Sequence, residues 1–271
     1  MEMWQIICLT ALVLTVILMV ILIRNLRMMK EIWQLKEEDC AFTKEEELAE
    51  YQKVFIGDIA HEMKTPLTAI LTFAEILSVK ADITDEERRQ YSGYIHEQAV
   101  HLKSMSEKLL QLVQFEGANL EKKELSLKQI IFEVLTAERA ICEKEGIALE
   151  QELCECRLNG EKDLLKSLFY NLIDNARNAS TENGKILVHM EYGNKEEVKI
   201  QIIDYGTGIA QEEMAHILKP FYTVKQVASK KLHGTGLGLP LCQRIIEYHN
   251  GKLEIESQPG QGSTFTVRLP V

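Results

Sequence analysis

The feature that most constrains this chain is a run of 21 residues, Met3 to Ile23, without a single charged side chain. At ~1.5 Å per residue, a helix of that length spans roughly the ~30 Å hydrocarbon thickness of a bilayer and satisfies its own backbone. The run is apolar on all faces rather than striped, which argues against a half-buried core helix. A transmembrane helix is therefore predicted over 3–23. Glu2 precedes it, and Arg24, Arg27 and Lys30 follow it, the reverse of a cleavable signal peptide. The positive-inside bias puts the N-terminus outside and everything after Arg24 in the cytoplasm, as in a single-pass protein of the cell (inner, cytoplasmic) membrane. The expectation is that the chain leaves no room for an extracellular sensor.

Residues 24–46 are charged and free of Pro and Gly, as suits a helical connector. Thr43 and Glu46 read as a capping box that opens the next helix. Apolar residues then recur at Leu48, Tyr51, Phe55, Ile59, Met63, Ile70, Phe73 and Leu77, and again at Tyr91, Ile95, Leu102, Met105, Leu109 and Val113. Those spacings describe two amphipathic helices. Thr84 and Glu87 form a second capping box between them, so residues 47–117 read as an antiparallel hairpin. One hairpin cannot bury its apolar stripe on both sides. Two copies forming a four-helix bundle can, and a homodimer through 45–117 is predicted.

Beyond Gly117 the texture changes to strands mixed with helices, ending on the strand "STFTVRLP". An α/β sandwich, a sheet with helices over one face, is expected over 122–271. A formal charge of −10 argues against nucleic acid as a partner. The six cysteines contain no CxxC pair and read as reduced thiols. Cys154 and Cys156 are expected on a strand, with both side chains on one face.

Three stretches carry chemistry. "DYGTGI" (Asp204, Gly206, Gly208) follows a strand, and "HGTGLGLP" (Gly234, Thr235, Gly236, Leu237, Gly238) precedes a helix. Glycines allow close backbone approach, and free N–H groups at a helix start favour phosphate. There is no GxxxxGK[ST], and Leu239 stands where a GxGxxG fingerprint needs glycine, so two familiar phosphate loops are excluded. The third stretch, "NLIDNARNAS", puts Asn171 and Asn175 on one helical face. Their amide oxygens are hard, neutral ligands suited to a hydrated Mg²⁺ that bridges phosphates.

Taken in order, these stretches resemble the bacterial sensor histidine kinases. "HEMKTP" is similar to their phosphoacceptor box, "NLIDNA" to the N box, "DYGTGI" and "GTGLGL" to the two glycine boxes and "KPFYTVK" to the F box. The resemblance implies an all-α dimerisation and histidine-phosphotransfer hairpin followed by a Bergerat-type ATP-binding domain, which chaperone and topoisomerase ATPases share. It implies that Asp204 accepts from the adenine amino group, that Asn175 holds Mg²⁺, that Lys225 lies near the γ-phosphate, and that Gly234–Gly238 end a lid over the phosphates. The chain departs from the family where Asn178 and Ala179 replace a basic residue and an aromatic. Phosphate contact from this helix is then expected only where Arg177 substitutes, and modest ATP affinity is expected.

His61 lies about 200° around the helix from both Ile59 and Met63, and so faces away from the seam. A neutral imidazole offers a nitrogen lone pair to a phosphoryl group, and Glu62 can orient the ring and take its other proton. Thr65, one turn on, is implied by the family's HExxT pattern to position a water for dephosphorylating the partner. Pro66 removes the N–H that would bond the Glu62 carbonyl. The remaining histidines are read as surface residues. The expected protein is a membrane-anchored kinase that autophosphorylates His61 from ATP with Mg²⁺ and serves an aspartate of a response regulator. Its stimulus enters through the membrane, a partner membrane protein or the connector.

Overall fold

The computed structural model describes residues 19–20, 22–24, 42–80, 82–114, 121–193, 196–224 and 234–271. Residues 19–20 and 22–24 are helical. The rest of the predicted 3–23 span, and residues 25–41 of the connector, lie outside the described residues. No helix among the described residues is long and apolar enough to cross a membrane. The chain divides into two units, Met1–Gly117 and Ala118–Val271.

In the first unit, α1 (Phe42–Val79) and α2 (Asp85–Gln114) pair as a hairpin. Helix α1 already begins at Phe42, so Thr43 lies within it and not at its cap. The second capping box forms as expected. The Glu87 N–H donates to Thr84 Oγ1 at 3.2 Å, and the Thr84 N–H donates to Glu87 Oε2 at 2.9 Å. Lys80 Nζ donates to the other Glu87 oxygen at 2.7 Å and, with Thr84, lowers that carboxyl to about 2. Ile59, Pro66 and Ile70 meet the apolar face of Leu102, Met105 and Leu109 as the buried seam. Phe73 stacks on Tyr91 and Tyr94 at 5.6 and 5.0 Å. The helix runs through Pro66, whose missing N–H leaves the Glu62 carbonyl without its usual helical donor.

The second unit starts with β1 (Lys123–Ser126) and α3 (Leu127–Lys144), capped by Ser126 accepting from the Gln129 N–H. Then come β2 (Ala148–Leu153), β3 (Arg157–Gly160), α4 (Lys162–Ala179), β4 (Lys185–Tyr192) and β5 (Glu197–Asp204). The short α5 (Gln211–Met214), α6 (Gly238–Tyr248), β6 (Lys252–Gln258) and β7 (Gly262–Pro270) complete it. One sheet has the order β2-β4-β5-β7-β6, with β2 and β4 parallel and the other neighbours antiparallel. Strict alternation sends Ile186, Val188 and Met190 of β4, and Val198, Ile200 and Ile202 of β5, to one buried face. Phe265, Val267 and Leu269 of β7 lie opposite Ile202, Ile200 and Val198. Helices α3, α4 and α6 supply the matching apolar faces, so the expected one-sided sandwich forms.

One expectation fails here, and one pair of strands was not foreseen. Cys154 and Cys156 lie in the link between β2 and β3 and not on a strand, because β2 ends at Leu153. Strands β1 and β3, four residues each, form a separate antiparallel pair too short to announce itself by alternation.

Candidate active site

In the hairpin unit His61 is exposed, with 81 % of its side chain accessible. Its Nδ1 lies 3.6 Å from Glu62 Oε1, close enough for charge but outside hydrogen-bond range. Thr65 is exposed on the following turn. Across the seam His101 is half-buried, and burial lowers its pKa against the opposing charge of Glu62. The polar face of this turn is thus solvent-directed, while Ile59 and Pro66 hold its other side in the seam.

In the second unit Asp204 ends β5 on the buried face of the sheet, 2 % exposed. Burial pushes its carboxyl up, and hydrogen bonds from the Gly206 N–H and from the N–H and hydroxyl of Ser263 pull against that. The result is a carboxylate in a dry position with directed donors already on it. The glycine loop after it is clamped on two sides. Thr207 N–H donates to the carbonyl of Ala179 at the end of α4, and Gly260 N–H donates to the Thr207 carbonyl. A Cβ on Gly206 would sit 2.0 Å from the Ala179 oxygen, and one on Gly208, at φ +65°, would sit 1.9 Å from the Gln258 oxygen. Only glycine fits either position.

One turn before Ala179, Asn175 has its Nδ2 buried without a partner among the described residues. Asn171 is buried, and its Nδ2 donates to the Ser167 carbonyl at 2.8 Å, which leaves its Oδ1 outside that bond. The orphaned Asn175 N–H₂ is a donor and calls for an external acceptor such as a phosphate oxygen. Among the described residues no three His, Cys, Asp or Glu side chains gather into a metal site. The amide oxygens of Asn171 and Asn175 are of the hard, neutral kind that a Mg²⁺ carried mainly by nucleotide phosphates accepts.

The second glycine stretch leads into α6. Leu237 occupies the N-cap without a side-chain hydrogen bond, so the first N–H groups of α6 have no capping side chain. Thr235 is buried, and its hydroxyl accepts from the Leu237 N–H at 3.4 Å. Gly236 meets the F-box backbone at Phe221, whereas nothing lies within 4 Å of a Cβ on Gly234. Lys225 lies outside the described residues.

The role proposed for Arg177 does not fit its surroundings. It pairs with Asp174, with Glu145 at 2.8 Å and with Glu138 at 3.8 Å, the last two on or just past α3. Those three carboxylates hold its charge where it braces α4 on α3. His249 is not a surface residue either. It is buried, its Nδ1 bonds the Ile245 carbonyl at 2.8 Å, and its Nε2 accepts from the Glu161 N–H at 3.0 Å. Sequence reasoning also missed Ser257 and Ser263, which reach the Asp204 loop only through the pairing of β5, β6 and β7.

Residues 51–118 match the His Kinase A (phospho-acceptor) domain, and residues 160–271 match the histidine kinase-, DNA gyrase B-, and HSP90-like ATPase domain. Sporulation kinase C of Bacillus subtilis is 32% identical over 257 residues, covering 91% of this chain and 57% of that protein. Heme sensor protein HssS of Staphylococcus saprophyticus is 31% identical over 223 residues, covering 82% of this chain and 47% of that protein. The chain spans only part of the length of the curated relatives it matches, 27% in the case of the non-motile and phage-resistance protein of Caulobacter vibrioides. The crystal structure of histidine kinase ThkA in complex with response regulator protein TrrA is similar with a TM-score of 0.65 at 25% identity, over 86% of this chain and 68% of that one.

Proposed function

This chain belongs to the bacterial sensor histidine kinases, carrying a phospho-acceptor domain followed by an ATPase domain, and from that premise we propose that it autophosphorylates His61 from ATP and passes the phosphoryl group to an aspartate of a response regulator. The observation that carries this reading is an exposed His61 beside Glu62 on a turn whose other side, at Ile59 and Pro66, is buried in the seam. Nδ1 is the ring nitrogen nearer Glu62, so Nε2 is the outward nucleophile. Its lone pair forms the bond to the γ-phosphorus. The bond from that phosphorus to the β–γ bridging oxygen breaks, and ADP leaves with the electron pair. Glu62 stabilises the ring proton at Nδ1 and takes it as the phosphoramidate forms. In the second step an aspartate oxygen of the partner attacks phosphorus and the N–P pair returns to His61.

On this reading Asp204 accepts from the adenine amino group, with Gly206 and Gly208 giving the base its close approach. Gly234, Thr235, Gly236, Leu237 and Gly238 line the phosphate side at the start of α6, with Lys225 beside the γ-phosphate. Asn171 and Asn175 face the phosphates, and Mg²⁺ held at Asn175 would supply charge neutralisation there. Thr65, exposed one turn after His61, positions a water for dephosphorylating the regulator.

The exposed apolar residues Ile56, Leu71 and Leu110 on the hairpin support a homodimer through this unit. The uncharged Met3–Ile23 run supports a membrane anchor with the kinase on the cytoplasmic side, and a partner membrane protein is one source of stimulus. The test is incubation with γ-labelled ATP. Acid-labile, base-stable label should appear on the chain and disappear in His61→Gln and in Asn175→Ala. Label that persists in both variants refutes the reading.

A further inference from the structure

Gly57 stands in the interior of α1, one turn before His61, and is exposed. Nothing among the described residues lies within 4 Å of a Cβ placed on it. Glycine inside a helix is costly relative to alanine, and a close neighbour that leaves no space for a side chain is the usual reason to keep one. Packing within the hairpin gives no such reason here. The face that Gly57 shares with His61 supplies another.

At about 100° per residue, Gly57 and Lys64 lie about 40° and 60° to one side of His61, while Asp58 and Glu62 lie about 60° and 100° to the other. Asp58 and Lys64 are exposed and Glu62 is partly so. The turn that carries His61 therefore has an acidic shoulder and a bare shoulder with one cation. His61 Nδ1 lies 3.6 Å from Glu62 Oε1, which turns that nitrogen toward the acidic shoulder and Nε2 away from it. Triphosphate oxygens are anionic, so Asp58 and Glu62 repel them and Lys64 attracts them. Approach to Nε2 is open on the Gly57 side in both shape and charge.

Side chains on a helix lean back toward its N-terminus, so the His61 ring belongs over the turn that starts at Gly57. A side chain at 57 would meet that ring as its i,i+4 neighbour. We propose that Gly57 is a positioning residue for the phosphoryl step: by withholding a side chain it keeps the Nε2 shoulder of His61 clear, so that the γ-phosphoryl group comes into line with that nitrogen. This rests on the reading of His61 as the phosphoacceptor. Gly57 makes and breaks no bond, and acts only through access to the imidazole.

The test measures the rate of labelling by γ-labelled ATP, and its KM, on the full chain in detergent for Gly57→Leu, Gly57→Ala and Gly93→Leu. Leucine and alanine are better helix formers than glycine, so both changes at 57 should raise the melting temperature of the hairpin. Gly57→Leu should nonetheless lower the maximal rate by about ten-fold or more, as for other losses of in-line approach, with KM changed by less than about two-fold. Gly57→Ala, which adds one methyl group, should keep at least about half of the rate on the same grounds. Gly93 is the control, since it too is exposed on its helix with nothing within 4 Å among the described residues, and Gly93→Leu should label like the wild type. Wild-type labelling in Gly57→Leu, or an equal loss in Gly93→Leu, overturns the proposal and leaves the His61 reading standing. A changed oligomeric state of Gly57→Leu in light scattering overturns it too, because the residue would then serve the bundle. A wild type that takes no label overturns the His61 reading and this proposal with it. Should the leucine variant not fold, Gly57→Gln, which is long and polar, is held to the same loss.

Discussion

The Phe221 N–H donates to the Gly236 carbonyl at 3.0 Å, and both residues sit at positive φ, 63° and 65°. This one bond ties the F box to the entrance of α6, across a stretch of sequence with no local reason to close. A Cβ on Gly236 would lie 2.5 Å from the Phe221 carbonyl carbon, in addition to the ~1–2 kcal/mol cost of a left-handed L-residue. Gly236→Ala should lower the melting temperature of the ATPase unit by several degrees in circular dichroism. Gly234→Ala, with nothing within 4 Å among the described residues, should leave it within about one degree.

Asp204→Asn separates affinity from stability. The variant can still accept from the Gly206 N–H, but it turns an amide N–H₂ toward a ligand amino group. It also removes the desolvation that pushes the carboxyl up. ATP affinity should fall by about 100-fold or more, two lost or reversed hydrogen bonds, with the melting temperature unchanged or raised. A large fall in melting temperature would show that Asp204 serves the fold first.

His249 makes the second unit acid-sensitive. Burial lowers its pKa, with Lys122 acting in the same direction, while the Ile245 carbonyl and Glu161 oppose it. A lowered folded pKa means that the unfolded chain takes up a proton first as pH falls. Stability from this group is therefore full above its unfolded pKa, near ~6.5, and is lost as pH falls toward the folded pKa. In urea titrations between pH 7.5 and 5, His249→Gln should flatten the slope of stability against pH for this unit. His101 acts with the same sign in the hairpin, so the two units need separate probes.

Arg177→Met should be among the most damaging single changes outside the glycines. It leaves Glu138, Glu145 and Asp174 facing one another without their shared cation. The set is half-buried, with 40 % of the Asp174 side chain accessible, so the cost falls below the roughly 3–5 kcal/mol of a fully buried pair and is read as a lower urea midpoint. Replacing Glu138 by Gln at the same time should recover part of it, since burial already disfavours that carboxylate.

At the hairpin turn, Thr84→Ala removes the acceptor for the Glu87 N–H and one brace on the Glu87 carboxylate. The expected cost is about 1 kcal/mol, as for other caps, seen as reduced helicity on warming.

The sequence by itself determined what depends on local period and local steric demand. Ile59, Ile70, Leu102, Met105 and Leu109 repeat at helical spacing, so the hairpin, its turn at Thr84 and the outward direction of His61 follow from 3.6 residues per turn. The alternation in 185–192 and 197–204 likewise wrote out two central strands, and Asp204 with its glycines stood out only through the order of the Asn box, DxGxG and GxGxG, since a glycine turn alone has many uses. The tertiary structure alone decided whatever depends on residues far apart in the chain. Ser257 and Ser263 reach Asp204 only because β6, β7 and β5 are adjacent in register, a pairing that no local spacing records. Arg177 next to an N box reads as a free cation until α3 brings Glu138 and Glu145 against it, and His249 reads as surface until Glu161 arrives from another element. A hydrogen bond or ion pair takes its meaning from the partner that meets it, and for these residues the partner comes from the fold.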